Sequence, residues 1–197
     1  MKKIIILALI ALMALPASAQ IRIEAGTSIG GFRGTPTNYR AKAGITASVF
    51  YDIGFNDLPH EFLAVGLQYT ENGYEASGMD GKVSWLQLPV ESHTIIELAD
   101  RFPLFVDAGL FFGFALSRKA DVYWKDNSDP VTTDISDSIR RFNFGTTVGI
   151  GLGLDRFSIR VNWQRGLLNL MGPTPGNVFS TNAYNTSSLR ITAGFSF

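Results

Sequence analysis

Apolar and polar side chains alternate along most of this chain, and that period of two residues is the feature that most constrains its fold. Near the start, Ile21, Ile23 and Ile29 fall on one face, while Arg22 and Glu24 fall on the other. Such alternation is typical of a β-strand with one apolar face. The pattern recurs in seven further stretches, near residues 41–52, 63–70, 86–93, 104–114, 142–152, 157–164 and 188–197. The sequence therefore predicts eight strands.

The connections between these strands alternate between long and short. The long ones are residues 31–40, 73–81, 117–140 and 171–184, and the short ones are built of turn-forming residues at 56–59, 99–103 and 155–156. An even number of strands of roughly ten residues, with long loops on one side only, is typical of bacterial transmembrane barrels. We predict an all-β fold, an eight-stranded antiparallel up-and-down transmembrane β-barrel with periplasmic N- and C-termini.

A soluble barrel with an apolar interior shows the same alternation and is the alternative fold. A Gly-rich stripe that includes Gly145, Gly149 and Gly151 would then face water, which is unusual for a surface. In a bilayer, basic side chains turned toward lipid would cost up to ~2–4 kcal/mol each, so the apolar face must point outward.

Aromatic side chains near the two rims are expected to form girdles, and these are Tyr51, Tyr69, Trp85, Phe142, Phe157, Trp163 and Phe195.

Charged residues share the opposite, lumen-facing side of the strands. Eight strands enclose an interior just wide enough to be filled by side chains. Unpaired charges in that confined space would be costly, so we predict that the charges pair across the lumen and plug it. The four basic and four acidic members are Arg22, Lys42, Arg160, Arg190, Glu24, Asp52, Glu91 and Asp107. A narrow path for ions or small solutes along the same residues is the alternative.

The first twenty residues, MKKIIILALIALMALPASAQ, have the order of a secretory signal. Two lysines precede an apolar run, and Ala17-Ser18-Ala19 supplies a small-residue cleavage site. We expect cleavage after Ala19, which leaves residues 20–197 as one barrel domain. Loss of Lys2 and Lys3 leaves 15 basic and 17 acidic residues, a balance that gives no support to nucleic-acid binding.

Enzymatic and metal-binding roles find little support in the residue types present. The chain has two histidines and no cysteine, so no cofactor and no metal site are expected. His60 follows a short turn, and His93 shares the lumen face with Glu91 but has no nucleophile beside it. We therefore predict that the protein is not an enzyme, and an outer-membrane lipid-modifying enzyme ranks third after the plugged barrel and the narrow porin.

The last strand, SLRITAGFSF, alternates and ends in Phe197. It resembles the C-terminal signature of bacterial outer-membrane proteins, which implies that the barrel-assembly machinery reads Phe197 as an insertion signal. Two further segments, VSWLQLPVE at residues 83–91 and FNFGTTVGIGLGLDRFSIRVNWQRGLLNL at residues 142–170, are similar to strands of the PorT-like outer-membrane barrel family of Bacteroidota. The resemblance implies a Gram-negative outer membrane and a link to the type IX secretion pathway of the family's namesake.

The long loops carry aromatic residues that could contact a partner. These are Tyr123 and Trp124 in the third long loop, and Phe179 and Tyr184 in the fourth. Aromatic side chains in polar loops anchor partners, but they also contact lipopolysaccharide or fold over a barrel mouth. The expected partners are outer-membrane lipid and lipopolysaccharide, the assembly machinery during insertion, and secretion-system proteins.

Overall fold

The computed structural model is all-β, with nine strands and no helix in the residues that it describes. Those residues are 20–33, 40–55, 57–76, 79–98, 102–122, 131–135, 139–170 and 185–197. In this part of the chain no helix is long and apolar enough to cross a membrane. The strands are β1 Gln20–Arg33, β2 Arg40–Phe55, β3 Leu58–Ala76, β4 Met79–Glu97, β5 Pro103–Val122, β6 Val131–Asp134, β7 Phe142–Leu154, β8 Phe157–Gly166 and β9 Asn185–Ser196.

Eight of the nine strands close into an antiparallel barrel, which confirms the predicted fold. β1 pairs with both β2 and β9, and β4 pairs with β5, so the sheet of eight has no free edge. A row of paired residues that starts at Gln20 returns to β1 at Gly30, ten residues further on, and its members are Asp52, Ala64, Glu91, Gly109, Thr147, Gln164 and Ser188. This stagger corresponds to a tilt of the strands of roughly 40° from the barrel axis.

The barrel has two dissimilar ends. At one end, here called the turn end, few residues separate β2 from β3, β4 from β5 and β7 from β8, and the described chain also starts and stops there at Gln20 and Phe197. The backbone N–H of Phe197 donates to the carbonyl of Ile21 at 3.0 Å, which ties the last residue to the first strand. The opposite end, where β3 ends at Ala76 and β4 begins at Met79, is here called the loop end.

The wall is much taller on one side of the loop end than on the other. β3, β4 and β5 have 19, 19 and 20 residues, whereas β7, β8 and β9 have 13, 10 and 12. The prediction of a long loop at residues 73–81 is wrong, because β3 and β4 continue to pair as far as Ala76 and Met79. β5 likewise extends to Val122 and pairs with the short β6, where the sequence predicted a loop. Backbone pairing continues here because it needs no apolar outer face.

Large apolar side chains cover the outside of the barrel. Ile45 is 61% exposed and Leu152 is 55% exposed, although both belong to paired strands. An apolar exterior around a polar interior is the arrangement that a bilayer requires, and the reverse of a soluble barrel. Further members of this exterior are Ile21, Ile23, Val49, Leu67, Leu88, Leu110, Phe112, Phe114, Val148, Ile150, Ile159 and Ile191.

Candidate functional site: the barrel interior

A chain of ion pairs crosses the lumen near the turn end. Arg22 contacts Asp52 through Nε at 3.0 Å and also pairs with Glu24. Arg160 contacts Glu24 at 3.2 Å and Asp107 at 2.7 Å. All five side chains are buried, and they come from β1, β2, β5 and β8. This charged layer therefore joins strands from different sides of the barrel and fills its width.

The histidine His93 belongs to the charged layer, a role that the sequence did not predict for it. Its Nδ1 lies 2.6 Å from Oδ1 of Asp107. Its ring packs between Phe62 and Phe105, with centroid distances of 5.9 and 5.3 Å. The guanidinium of Arg160 lies 4.3 Å from the Phe105 ring centroid, so the Phe105 ring also stabilises this cation. Alternation had placed His93 on the lumen face, and only its partner was unpredictable.

Amides, hydroxyls and one further arginine form the next layer toward the loop end. Arg190 donates through Nη1 to Oε1 of Gln68, and Nε2 of Gln68 donates to Oε1 of Gln87 at 2.8 Å. Glu91 lies between this layer and the charged layer, and it is fully buried. The predicted lumen network consisted of charges alone and omitted the two glutamines, although alternation places both on the lumen face.

Lys42 lies apart from the other predicted lumen charges, which corrects the predicted set of eight. Its Nζ pairs with Oδ2 of Asp80 at 2.5 Å, and its side chain is 41% exposed. The cause is its position on β2 beyond a register shift between Lys42 and Thr46, where the lysine reaches the mouth of the loop end. Seven of the eight predicted charges are thus buried inside the barrel.

An apolar cluster, here called the cap, lies in the lumen at the loop end. Its buried members are Tyr74, Val83, Trp85, Ala115, Ile139 and Leu170. The backbone N–H of Arg140 donates to the carbonyl of Leu170 at 2.8 Å, and Arg118 donates to the carbonyl of Ile139. These bonds link the segment that precedes β7 to the segment that follows β8 and to β5.

Trp85 belongs to this cap and not to a girdle, so its predicted position is wrong. It is 0% exposed. The physical reason is strand register: Trp85 is two residues from Gln87 on β4, and both side chains point into the lumen. Alternation, if applied strictly, would have placed this tryptophan inside.

The other predicted girdle residues lie outside the lumen. Phe157 packs edge-on against Phe195, which packs against Phe197, with centroid distances of 5.2 and 5.0 Å at the turn end. Trp163 donates through Nε1 to Oγ of Ser187 at 3.2 Å. Phe142 is exposed, and Tyr51 and Tyr69 are half-buried. The predicted loop contacts Tyr123, Trp124, Phe179 and Tyr184 lie outside the described residues, as does the predicted leader at 1–19.

Two lumen glycines show how tightly this interior is packed. A Cβ on Gly66 would lie 2.6 Å from the Phe50 ring, and one on Gly151 would lie 2.7 Å from Cγ of Arg160. The Phe50 ring in turn lies 4.4 Å from the Arg22 guanidinium. Because glycine has no side chain, the Phe50 ring and the Arg160 side chain can occupy the space beside Gly66 and Gly151.

The structure brings no metal-binding cluster together within its described residues. His60 lies at the turn end, 3.9 Å from Glu97, and far along the barrel from the cap. His93 is enclosed between aromatic rings and Asp107. The ion pairs that the described residues do make at this site link strands from different sides of the barrel wall.

A closed barrel of eight strands, with an apolar exterior and charges locked inside, defines the chain as an integral β-barrel protein of the bacterial outer membrane. The chain belongs to the family described as outer membrane protein beta-barrel domain, whose model matches residues 15–172.

Comparison with solved structures shows the fold. The outer membrane enzyme PagL is 10% identical with a TM-score of 0.51, and the match covers 88% of this chain and 98% of PagL. OprG from Pseudomonas aeruginosa is 10% identical with a TM-score of 0.49, covering 91% of this chain and 96% of OprG. Ail, the attachment invasion locus protein of Yersinia pestis, is 13% identical with a TM-score of 0.46, covering 91% and 99%. The curated proteins give no match by sequence.

Proposed function

We propose that this protein is a closed outer-membrane barrel with a structural and interaction role rather than a conduit for solutes. The observation that carries the proposal is the chain of ion pairs from Asp52 through Arg22, Glu24 and Arg160 to Asp107, which spans the lumen. A solute would have to break buried, charge-assisted contacts to pass, and breaking such pairs is costly. Function is then expected on the outer surfaces.

The tall wall at the loop end is the surface on which we expect partners to bind. β3, β4 and β5, with 19, 19 and 20 residues, are longer than the about nine to eleven residues that a strand needs to cross the hydrocarbon, and the four-residue β6 pairs with the end of β5. We further propose membership of the PorT-like group of Bacteroidota and a link to type IX secretion. The support is the resemblance of residues 83–91 and 142–170, which form parts of β4, β7 and β8.

The turn end is proposed to face the periplasm, together with both termini. Short turns on the periplasmic side are the rule for bacterial barrels, and the leader would direct export and be cleaved after Ala19. Lipid and lipopolysaccharide would contact the apolar exterior. The assembly machinery would read the strand that ends at Phe197, whose ring is exposed beside Phe195 at the turn end.

A narrow porin is the second candidate function, and one observation favours it. Several buried polar atoms between the charged layer and the cap have no hydrogen-bond partner among the described residues, as a polar passage would require. PagL is described as an enzyme, but the likeness to it is one of fold. We propose no catalytic role, because the partners of His60 and His93 among the described residues are Glu97, Asp107 and Arg160 and include no serine or threonine hydroxyl.

The test removes the gene and measures export of type IX secretion substrates, with and without the restored protein. We expect export to fall and to recover with the wild-type chain. A photo-crosslinking residue at Thr132 in β6 should then join the barrel to a secretion component, while the same residue at Leu152, on the lipid face, serves as the matched control. Normal export together with identical products at both positions would refute the proposal.

A further inference from the structure

Four polar atoms lie unpaired in the buried middle of the lumen. They are Oε1 of Glu91, Oγ1 of Thr147, Nε2 of Gln164 and Nε of Arg190, and no described residue supplies a hydrogen-bond partner to any of them. Each of the four residues is at most 2% exposed, so bulk solvent does not reach these atoms. Buried polar groups in folded proteins are satisfied by protein or by ordered water, and an unpaired group is destabilising.

The register places these four residues side by side. Glu91 pairs with Gly109, Gly109 with Thr147, and Thr147 with Gln164, so three of them share one row around the lumen. Directly opposite residues have Cβ atoms about 4.5–5.5 Å apart, and Gly109 contributes no side chain between Glu91 and Thr147. Arg190 is two residues from Ser188, the residue that pairs with Gln164. One ligand cluster can therefore reach all four atoms.

The mixture of hydrogen-bonding types identifies the ligand. The Glu91 oxygen needs a donor, the Gln164 and Arg190 nitrogens need acceptors, and the Thr147 hydroxyl can serve either way. A cation would leave the two nitrogens unsatisfied, and an anion would be repelled by Glu91. Water both donates and accepts, and a buried water typically makes about three hydrogen bonds. We propose that these four residues form a binding site for a cluster of ordered water molecules.

The site is enclosed from both directions. The apolar cap of Trp85 and its neighbours lies toward the loop end, and the charged layer above the Phe105 ring lies toward the turn end. Water held there exchanges slowly with solvent, so it behaves as part of the fold. The inference is independent of any secretion role, because it rests on interior atoms alone.

The sign of one stability change tests the proposal. Thr147→Val removes the hydroxyl and nearly preserves the shape of the side chain. If the hydroxyl binds water, the unfolding equilibrium constant in lipid vesicles should rise about tenfold. If the hydroxyl is unsatisfied, its removal should stabilise the barrel and overturn the proposal. Thr146→Val is the matched control, since the neighbouring side chain faces outward and should give little change.

A direct measurement on the wild-type protein covers the case in which the variant fails to fold. Magnetisation transfer from water to the Gln164 side-chain amide in a lipid nanodisc should reveal long-lived bound water. The same signal should persist in Thr146→Val, whose changed side chain faces outward. Absence of transfer to Gln164 in the folded wild-type barrel would refute the water site.

Discussion

Arg160 holds the charged layer together, because among the described residues it bridges the two carboxylates Glu24 and Asp107. Arg160→Ala would leave these carboxylates buried with fewer cations to balance them. Breaking a buried pair from one side costs about 3–5 kcal/mol. We expect a loss of that size in the free energy of unfolding, measured by urea titration in lipid vesicles with tryptophan fluorescence. Arg165→Ala, on the exposed side of the same strand, should change it by less than ~0.5 kcal/mol, and equal losses would contradict the role given to Arg160.

Gly66 makes a similarly local prediction about packing. A methyl group there meets the Phe50 ring at 2.6 Å, and the Arg22 guanidinium limits how far that ring can retreat. Gly66→Ala should therefore destabilise the barrel by about 1–3 kcal/mol. Phe50→Leu should recover part of the loss when both changes are combined in a double-mutant cycle. Gly31→Ala is the control, because its new Cβ meets nothing nearer than 3.4 Å. If the stability changes of Gly66→Ala and Phe50→Leu were strictly additive, the clash between the two side chains would be refuted.

At the scale of the element, the hairpin between β7 and β8 depends on one backbone conformation. Leu154 pairs with Phe157, so Asp155 and Arg156 alone form the turn, and Asp155 has a positive φ of 52°. The left-handed region costs an ordinary residue roughly 1–2 kcal/mol. Asp155→Val should destabilise by about that amount, whereas Asp155→Gly should be neutral or better in the same urea titration. If Asp155→Val lowered the free energy of unfolding less than Asp155→Gly, the left-handed backbone conformation at this turn would not limit stability.

Strand existence and phase were predictable from the sequence, but strand ends were not. Alternation located all eight barrel strands because lipid on one side and a filled lumen on the other impose opposite polarity on successive residues. Beyond the bilayer that constraint disappears, so the paired residues 73–76 and 79–81 carried no readable pattern. Register shifts near Lys42 and at Ser84/Trp85 also have no sequence signal of their own.

At the scale of the whole molecule, the membership of the interior was predictable and its pairing was not. The sequence placed Arg22 and Asp107 inside, since facing lipid would be too costly. Which cation meets which carboxylate depends on the stagger of the closed sheet, which emerges only when all eight strands are paired. The cap was not predicted for a different reason. Ile139 and Leu170 reach the lumen from connecting segments, and the strand pattern does not determine the path of those segments.

The proposed function requires that the lumen be closed at two levels in series, the cap and the charged layer, so that passage is limited by whichever level stays closed. The wild-type barrel in a planar bilayer should therefore show no stepwise current. Trp85→Ala, which opens the cap, and Arg160→Ala, which interrupts the charged layer, should each remain silent, while the combination should conduct. Heat-modifiable electrophoretic mobility must first show that every variant is folded, because both changes reduce stability. Steady current through the wild type would show that neither level is closed and would favour the narrow-porin function. Steady current through Arg160→Ala alone would show that the cap is not a seal, since the polar middle layer would then open directly to the loop end.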